Sequence, residues 1–305
     1  MRLLKNGVPI LENLSGVLKV WIQAARPKTL WAGICPVVIG SVMAFANGKF
    51  HVLSALAALV GALLIQIGTN FANDYFDFKK GADTARRVGP KRATQSGAIS
   101  PNAMKAAFVV TFALAVLAGI YLVVRGGWPI VLIGVAAVIS GILYTGGPYP
   151  LGYLGLGDVF VLIFFGPVAV AGTYYVQALS MRPEVMIAGL APGLLSVAIL
   201  TVNNIRDIDE DKTTGKKTLA VRFGKHAARR HYIASVFLAS IVPGVMLLIP
   251  PFKTTLLMTL LMLPLARPTV KLVMNQEGAA LNVALEKTGR LLVIYTVLFC
   301  LAWII

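Results

Sequence analysis

The chain carries twelve acidic residues among 305, and seven of them fall in two short clusters. Asp74, Asp77 and Asp83 lie within NFANDYFDFKKGAD (70–83); Asp207, Asp209, Glu210 and Asp211 lie within NNIRDIDED (203–211). Each cluster closes a long apolar stretch and precedes a basic loop. Carboxylates gathered at the ends of oily segments point to divalent metal binding. In an α-helix, positions i, i+3, i+4 and i+7 share one face. Asn70, Asn73, Asp74 and Asp77 have that spacing, as do Asn204, Asp207 and Asp211, whereas Asp209 points elsewhere and Glu210 sits at the margin. Two helix ends would then each present amides and two carboxylates as a stripe. Facing stripes suit Mg²⁺, which takes one or two carboxylates plus waters and substrate phosphates. For either cluster alone, a solvated helix end with hydrogen-bonded Asn and Asp is the plainer alternative.

The loops after the clusters supply cations: Lys79, Lys80, Arg86, Arg87, Lys91 and Arg92 in the first, Lys212, Lys216, Lys217 and Arg222 in the second. Membrane topology accounts for most of them. Arg92, Lys216 and Lys217 are the preferred candidates to neutralise a departing diphosphate. Carboxylates and cations beside a lipid phase suggest a lipid diphosphate, whose allylic C–O bond breaks to leave a carbocation. Such a cation must be kept from water, and aromatic faces stabilise it. Tyr144, Tyr149, Tyr153, Tyr174 and Tyr175 are candidates, although for each singly an interfacial belt or ordinary packing is the plainer reading. The stretch YTGGPYPLGYLGLGD (144–158) is too rich in Gly and Pro for a helix and has no phosphate-loop motif.

The elements that must position these residues are membrane helices. The chain is 57% hydrophobic and 13% charged, with continuous rather than alternating apolar runs, which argues against a β-barrel. Nine spans are predicted, at 29–47, 53–76, 103–124, 128–146, 157–177, 185–205, 230–250, 253–273 and 287–305 around a central cavity. Pro264, Arg267, Pro268 and Lys271 predict a kink in the second half of the eighth. With the N-terminus cytoplasmic, 24 of the 28 Lys and Arg fall on the cytoplasmic side, together with both acidic clusters. The formal net charge of +16 is therefore read as topology, not as nucleic-acid binding. Residues 1–25 show no signal peptide, and Cys35 and Cys300 have no metal-ligand spacing. Asn70/Asp74 and Asn203/Asp207 each end an even-numbered span. That match suggests an internal duplication within one domain (1–305), with halves 29–146 and 157–273 followed by the ninth helix.

NDYFD (73–77), followed by Asp83 and KRATQSGAIS (91–100), resembles the first signature of the UbiA-type intramembrane prenyltransferases; NNIRDIDEDKTTGKKTLAVRFG (203–224) resembles the second. The six-residue step from Asp77 to Asp83, GKKTLAVRFG, and YTGGPYPLGYLGLGD followed by FFGPVAVAGTYYVQ (164–177) are similar to the branch acting on 1,4-dihydroxy-2-naphthoate. In that branch an acidic residue follows GLG, and Asp158 fills the place. The resemblance implies an enzyme of the cell (inner) membrane that passes a polyprenyl group from polyprenyl diphosphate to 1,4-dihydroxy-2-naphthoate. Carbon dioxide and diphosphate leave, and demethylmenaquinone results after oxidation. It implies Mg²⁺, as two ions, on Asp74, Asp77, Asp207 and Asp211. It also implies substrate or coordination contacts from Asn70, Asn73, Asn203 and Asn204, with Asp83 either reaching the metal or orienting a loop cation.

Three alternatives are weighed. The first is the same transfer to 4-hydroxybenzoate or a phylloquinone precursor. The second is a CDP-alcohol phosphotransferase, which GADTARR (81–87) echoes with the wrong spacing and no downstream partner motif. The third is a transporter, disfavoured because charges stop at one face of the predicted spans.

Overall fold

The computed structural model describes residues 10–82 and 88–305, and all regular structure among them is helical. An amphipathic helix α1 (Ile10–Ala25) lies within the stretch read from sequence as mixed polar and apolar, and Trp21 packs edge-on against Phe71. Arg26, at φ 53°, turns the chain into α2 (Pro27–Ala46). Next come α3 (Val52–Lys79), capped by His51 on Ser54 N–H, and α4 (Pro101–Gly126), capped by Ser100 on Ala103 N–H. These caps satisfy amides that the first turn cannot.

The helix α5 (Trp128–Leu143) leads into a turn-rich segment with no helix until α6 (Gly157–Phe164), as the Gly and Pro content predicts. There follow α7 (Pro167–Ala178), α8 (Pro183–Ala188), α9 (Leu190–Arg206), α10 (Ile208–Thr213) and α11 (Leu219–Met246). A 3₁₀ segment, Thr254–Leu261, runs into α12 (Met262–Asn275), and Gly278–Ala280 into α13 (Leu281–Ile304).

Seven helical segments among the described residues are long and apolar enough to cross a bilayer: Pro27–Ala46, Val52–Lys79, Pro101–Gly126, Gly157–Ala178, Pro183–Arg206, Thr254–Asn275 and Gly278–Ile304. The protein is a multi-pass α-helical membrane protein. Two of the nine predicted spans differ from these seven. Trp128–Leu143 is shorter, and α11 begins eleven residues before the predicted 230 with Arg222, Lys225, Arg229 and Arg230 in its first half. The eighth segment also departs from expectation: its first half, not its second, is irregular. Pro264 falls in the first turn of α12, where the missing N–H costs no hydrogen bond.

Two buried apolar clusters frame the molecule. The larger joins α2, α7–α9 and α11–α13 around Tyr232, Tyr295, Phe299 and Trp303; the smaller joins α1, α3, α4 and residues 93–99 around Phe71, Tyr75 and Phe108. A cavity of about 560 Å³ is lined by α2–α7 and α9. The expectation of a cavity ringed by all nine spans is corrected here. None of its lining residues comes from α11–α13, whose facing side chains are occupied in the larger cluster.

Candidate active site

The cavity wall is largely aliphatic, with Thr29, Gln66, Asn70, Asn73, Tyr144 and Asn203 among its few polar contributors. Asn73 and Asn203 open the two signatures, and the carboxylates Asp74, Asp77, Asp207 and Asp211 follow them within eight residues. Asn70 donates to the carbonyl of Ala25 (2.9 Å) and to Thr29 Oγ1 (3.1 Å), tying α3 to the α1–α2 turn. Asn73 Oδ1 accepts from Thr145 Oγ1 at 2.8 Å. Asn204 is half-buried on the last turn of α9.

The first stripe forms as its spacing predicts, because α3 runs unbroken to Lys79. Asn70, Asn73, Asp74 and Asp77 are all buried. Asp74 accepts the backbone N–H groups of Ala93 and Thr94, both at 3.1 Å, one on each carboxylate oxygen. It thereby fixes the loop after the signature. Asp77 receives the Tyr153 hydroxyl at 3.0 Å, Arg92 at 3.5 Å and the Lys216 ammonium at 4.0 Å. Asp83, Arg86 and Arg87 lie outside the described residues.

The second stripe does not form as predicted. The helix breaks at Asp207 (φ −96°, ψ 8°), between α9 and α10. Asn204, Asp207 and Asp211 therefore do not share one continuous face. Asp207 instead takes both prongs of Arg206, at 2.7 Å each, and Arg206 in turn donates to Asn282 Oδ1 on α13 at 2.8 Å. Asp211 is buried and lies 3.5 Å from Lys216 Nζ. Burial pushes its carboxyl up to about 6; Lys216 opposes that shift, and Asp207 and Glu210 add to it. Asp209, with a side chain 81% exposed, points outward as predicted.

One ammonium therefore reaches a carboxylate from each cluster. Lys216 also lies 5.1 Å from the centre of the Tyr153 ring, and Lys80 lies 4.8 Å from the same ring. Lys80 is anchored on the carbonyls of Thr145 (2.7 Å) and Gly147 (3.2 Å). Burial lowers its pKa, Asp77 opposes that shift and the like charge of Lys216 adds to it.

The turn-rich segment is held against the second loop. The Lys217 N–H donates to the Tyr153 carbonyl at 2.8 Å, and Arg222 donates to the Leu154 carbonyl at 2.7 Å. Gly155 sits at φ +74°, and a Cβ there would strike the Lys217 carbonyl, so only glycine allows this contact. Gly157 similarly leaves room for the Tyr144 hydroxyl, which a Cβ would meet at 2.8 Å.

The aromatic candidates separate. Tyr144 lines the cavity; Tyr153 serves Asp77 through its hydroxyl, and Lys80 and Lys216 lie over its ring. Tyr149 is 75% exposed and lies outside the lining, which corrects its choice as a cavity residue. Tyr174 pairs with Asn47, and Tyr175 donates to the Gly126 carbonyl; both partners lie at the C-terminal ends of α2 and α4. The Lys217 side chain is exposed and enters through its backbone alone. Sequence reasoning missed Thr145, Arg206 and Asn282. An uncharged turn residue, an arginine assigned to topology and a lone amide carry no signal without the fold.

A sequence model of the UbiA prenyltransferase family matches residues 34–285. A 1,4-dihydroxy-2-naphthoate octaprenyltransferase of Escherichia coli (strain K12) is 40% identical over 230 residues, 73% of this chain and 74% of the relative. One from Haemophilus influenzae is 34% identical over 297 residues, 94% and 96% of the two chains. The solved structure of a UbiA homolog from Archaeoglobus fulgidus bound to GPP and Mg²⁺ superposes with a TM-score of 0.70 at 15% identity, covering 93% of this chain and 99% of the other.

Proposed function

The chain belongs to the UbiA prenyltransferase family, and from that premise we propose that it transfers a polyprenyl group from polyprenyl diphosphate to 1,4-dihydroxy-2-naphthoate. A bond forms between the allylic carbon and the ring carbon that bore the carboxylate. Carbon dioxide and diphosphate leave, and oxidation of the prenylated quinol gives demethylmenaquinone. The relatives of this activity match most of the chain. The observation that carries the reading is the meeting of Asp77 and Asp211 on Lys216, beside the polar end of an aliphatic cavity.

The carboxylates fit a hard divalent cation. Among the described residues no three His, Cys, Asp or Glu side chains form a metal cage; Mg²⁺ commonly takes one or two carboxylates and completes its shell with waters and substrate phosphates. Asp77 and Asp211 would hold Mg²⁺ in this reading. For the second of two ions, Asp74 and Asp207 offer the lone pairs that their N–H partners leave unused. Bound there, Mg²⁺ would act as a Lewis acid on the diphosphate.

The chain's own groups do the rest. Arg92, Lys80 and Lys216 supply positive charge to the departing diphosphate. The aliphatic walls keep water from the allylic cation. Tyr144, fixed by Gly152 and Gly157, presents its ring at the cavity's polar end. The Lys and Arg asymmetry supports a cytoplasmic face for the site in the cell membrane, with nine passes.

Purified chain with Mg²⁺ and a polyprenyl diphosphate, offered 1,4-dihydroxy-2-naphthoate and 4-hydroxybenzoate in competition, tests the reading. Product from the naphthoate with stoichiometric carbon dioxide is expected. Preferential prenylation of the benzoate, without carbon dioxide release, would overturn it.

A further inference from the structure

The cavity draws no lining residue from α13, yet α13 reaches the second acidic cluster. Asn282, in the first turn of α13, accepts from Arg206 Nη1 at 2.8 Å across 76 residues of chain. The side-on edge of the same guanidinium, Nε and Nη2, grips one oxygen of Asp207 each, both at 2.7 Å. Arg206 and Asp207 are neighbours at a helix break, so their ion pair ties the two side chains to each other without fixing where the pair points. Direction has to come from a distant residue. A guanidinium is planar and rigid. Holding Nη1 therefore sets the plane of the fork, and the carboxylate gripped by the fork takes that plane.

The magnitudes single out this contact among the ties of the first turns of α13. The Arg206 side chain is 4% exposed, so an N–H left without its acceptor there finds little water in exchange. Glu286, one turn beyond Asn282, pairs with Lys28 at 2.6 Å, but the two side chains are 36% and 75% exposed, and such surface pairs contribute little.

We propose that Asn282 is a positioning residue of the second cluster: through Arg206 it sets the direction in which the Asp207 carboxylate meets a metal ion. The inference rests on the metal reading above. It gives α13 a part in the site without a place in the cavity wall. Removing the partner that orients a metal-binding side chain typically costs about 10–100-fold in metal affinity or activity.

The test compares Asn282→Leu, Asn282→Asp and Glu286→Gln in the detergent-purified full chain. Mn²⁺ binding without substrate is read by the loss of free-ion electron paramagnetic resonance signal, alongside KM for the prenyl diphosphate and the thermal unfolding midpoint. Asn282→Leu removes the acceptor and is expected to weaken Mn²⁺ binding and raise KM, each about tenfold. Asn282→Asp returns an oxygen to Arg206 and is expected to restore both to wild-type values. Glu286→Gln loosens the exposed tie on the same helix and is expected to change neither. Asn282→Leu with a lowered unfolding midpoint but wild-type Mn²⁺ affinity and KM would overturn the proposal, because the residue would then only support the fold. Equal weakening by Asn282→Asp or by Glu286→Gln would overturn it as well. Should Asn282→Leu fail to fold, Asn282→Ser draws the acceptor back from Arg206 and carries the same expectation and the same contradiction.

Asp207→Asn separates the two levels of argument. If it binds Mn²⁺ as wild type does, the metal reading at Asp207 falls and the inference falls with it. If it weakens binding while Asn282→Leu does not, only the positioning role fails.

Discussion

The two acidic clusters look alike in sequence and are built differently. The first lies on one uninterrupted helix, so its amides and carboxylates form a single buried stripe. The second straddles a helix break at Asp207, so its carboxylates are divided between a helix end and a separate six-residue helix. Their neutralisation differs as well. Asp74 is held by two backbone N–H groups, whereas Asp207 is held by the fork of the adjacent Arg206. Backbone donors add no net charge and cannot move independently of the loop they fix. A guanidinium adds a full charge and depends on Asn282 of α13 for its orientation. The first cluster is thus a rigid platform, and the second is a charge-balanced arm anchored to the far end of the chain. They become one site through Lys216, which alone reaches an acid of each among the ion pairs of the described residues.

This contrast can be broken in graded steps. Removal of divalent metal with EDTA should abolish turnover, and added Mg²⁺ should restore it; full product formation in EDTA would end the ionisation scheme. Asp207→Ala strands the buried Arg206, whose side chain is 4% exposed, and should cost about 3–5 kcal/mol. Thermal unfolding in detergent measures this, and pairing it with Arg206→Met should recover part of the loss. Asp74→Ala leaves two backbone N–H groups unpaired and should cost about 2–3 kcal/mol, with increased hydrogen exchange confined to residues 91–99. An equal exchange increase in the α10 segment would show that the two clusters are not independently supported. Tyr153→Phe removes the hydroxyl from Asp77 but keeps the ring beneath Lys80 and Lys216, and should lower kcat about tenfold. Asp209→Asn, outside the site, should leave turnover and unfolding unchanged.

The same contrast explains what could be read in advance. Helical periodicity placed Asn70, Asn73, Asp74 and Asp77 together because nothing in 70–79 interrupts the helix. It failed for Asn204, Asp207 and Asp211 because a one-residue departure from helical ψ at Asp207 redirects everything after it. Arg92 and Lys216 were picked for charge and proximity in sequence, and the structure puts both within reach of Asp77. Their contacts cross 15 and 139 residues of separation, which no local pattern encodes. Tyr149 and Tyr153 are the same residue type four positions apart in one turn-rich segment, yet one is 75% exposed and the other reaches Asp77, which the sequence pattern does not distinguish. The amphipathic α1 was hidden by its mixed composition, and its tie to the site through Ala25 and Asn70 is a tertiary contact.

The most direct test of a single shared site is the turnover of Asp77→Asn, Asp211→Asn and the chain carrying both, at saturating Mg²⁺ and substrates. Residues acting as one unit are non-additive. Each single substitution is expected to bring prenyl transfer to the same floor, at least about a thousandfold below wild type, with the double no lower. A single variant retaining wild-type turnover, or a double falling by the product of two partial losses, would contradict a common metal site.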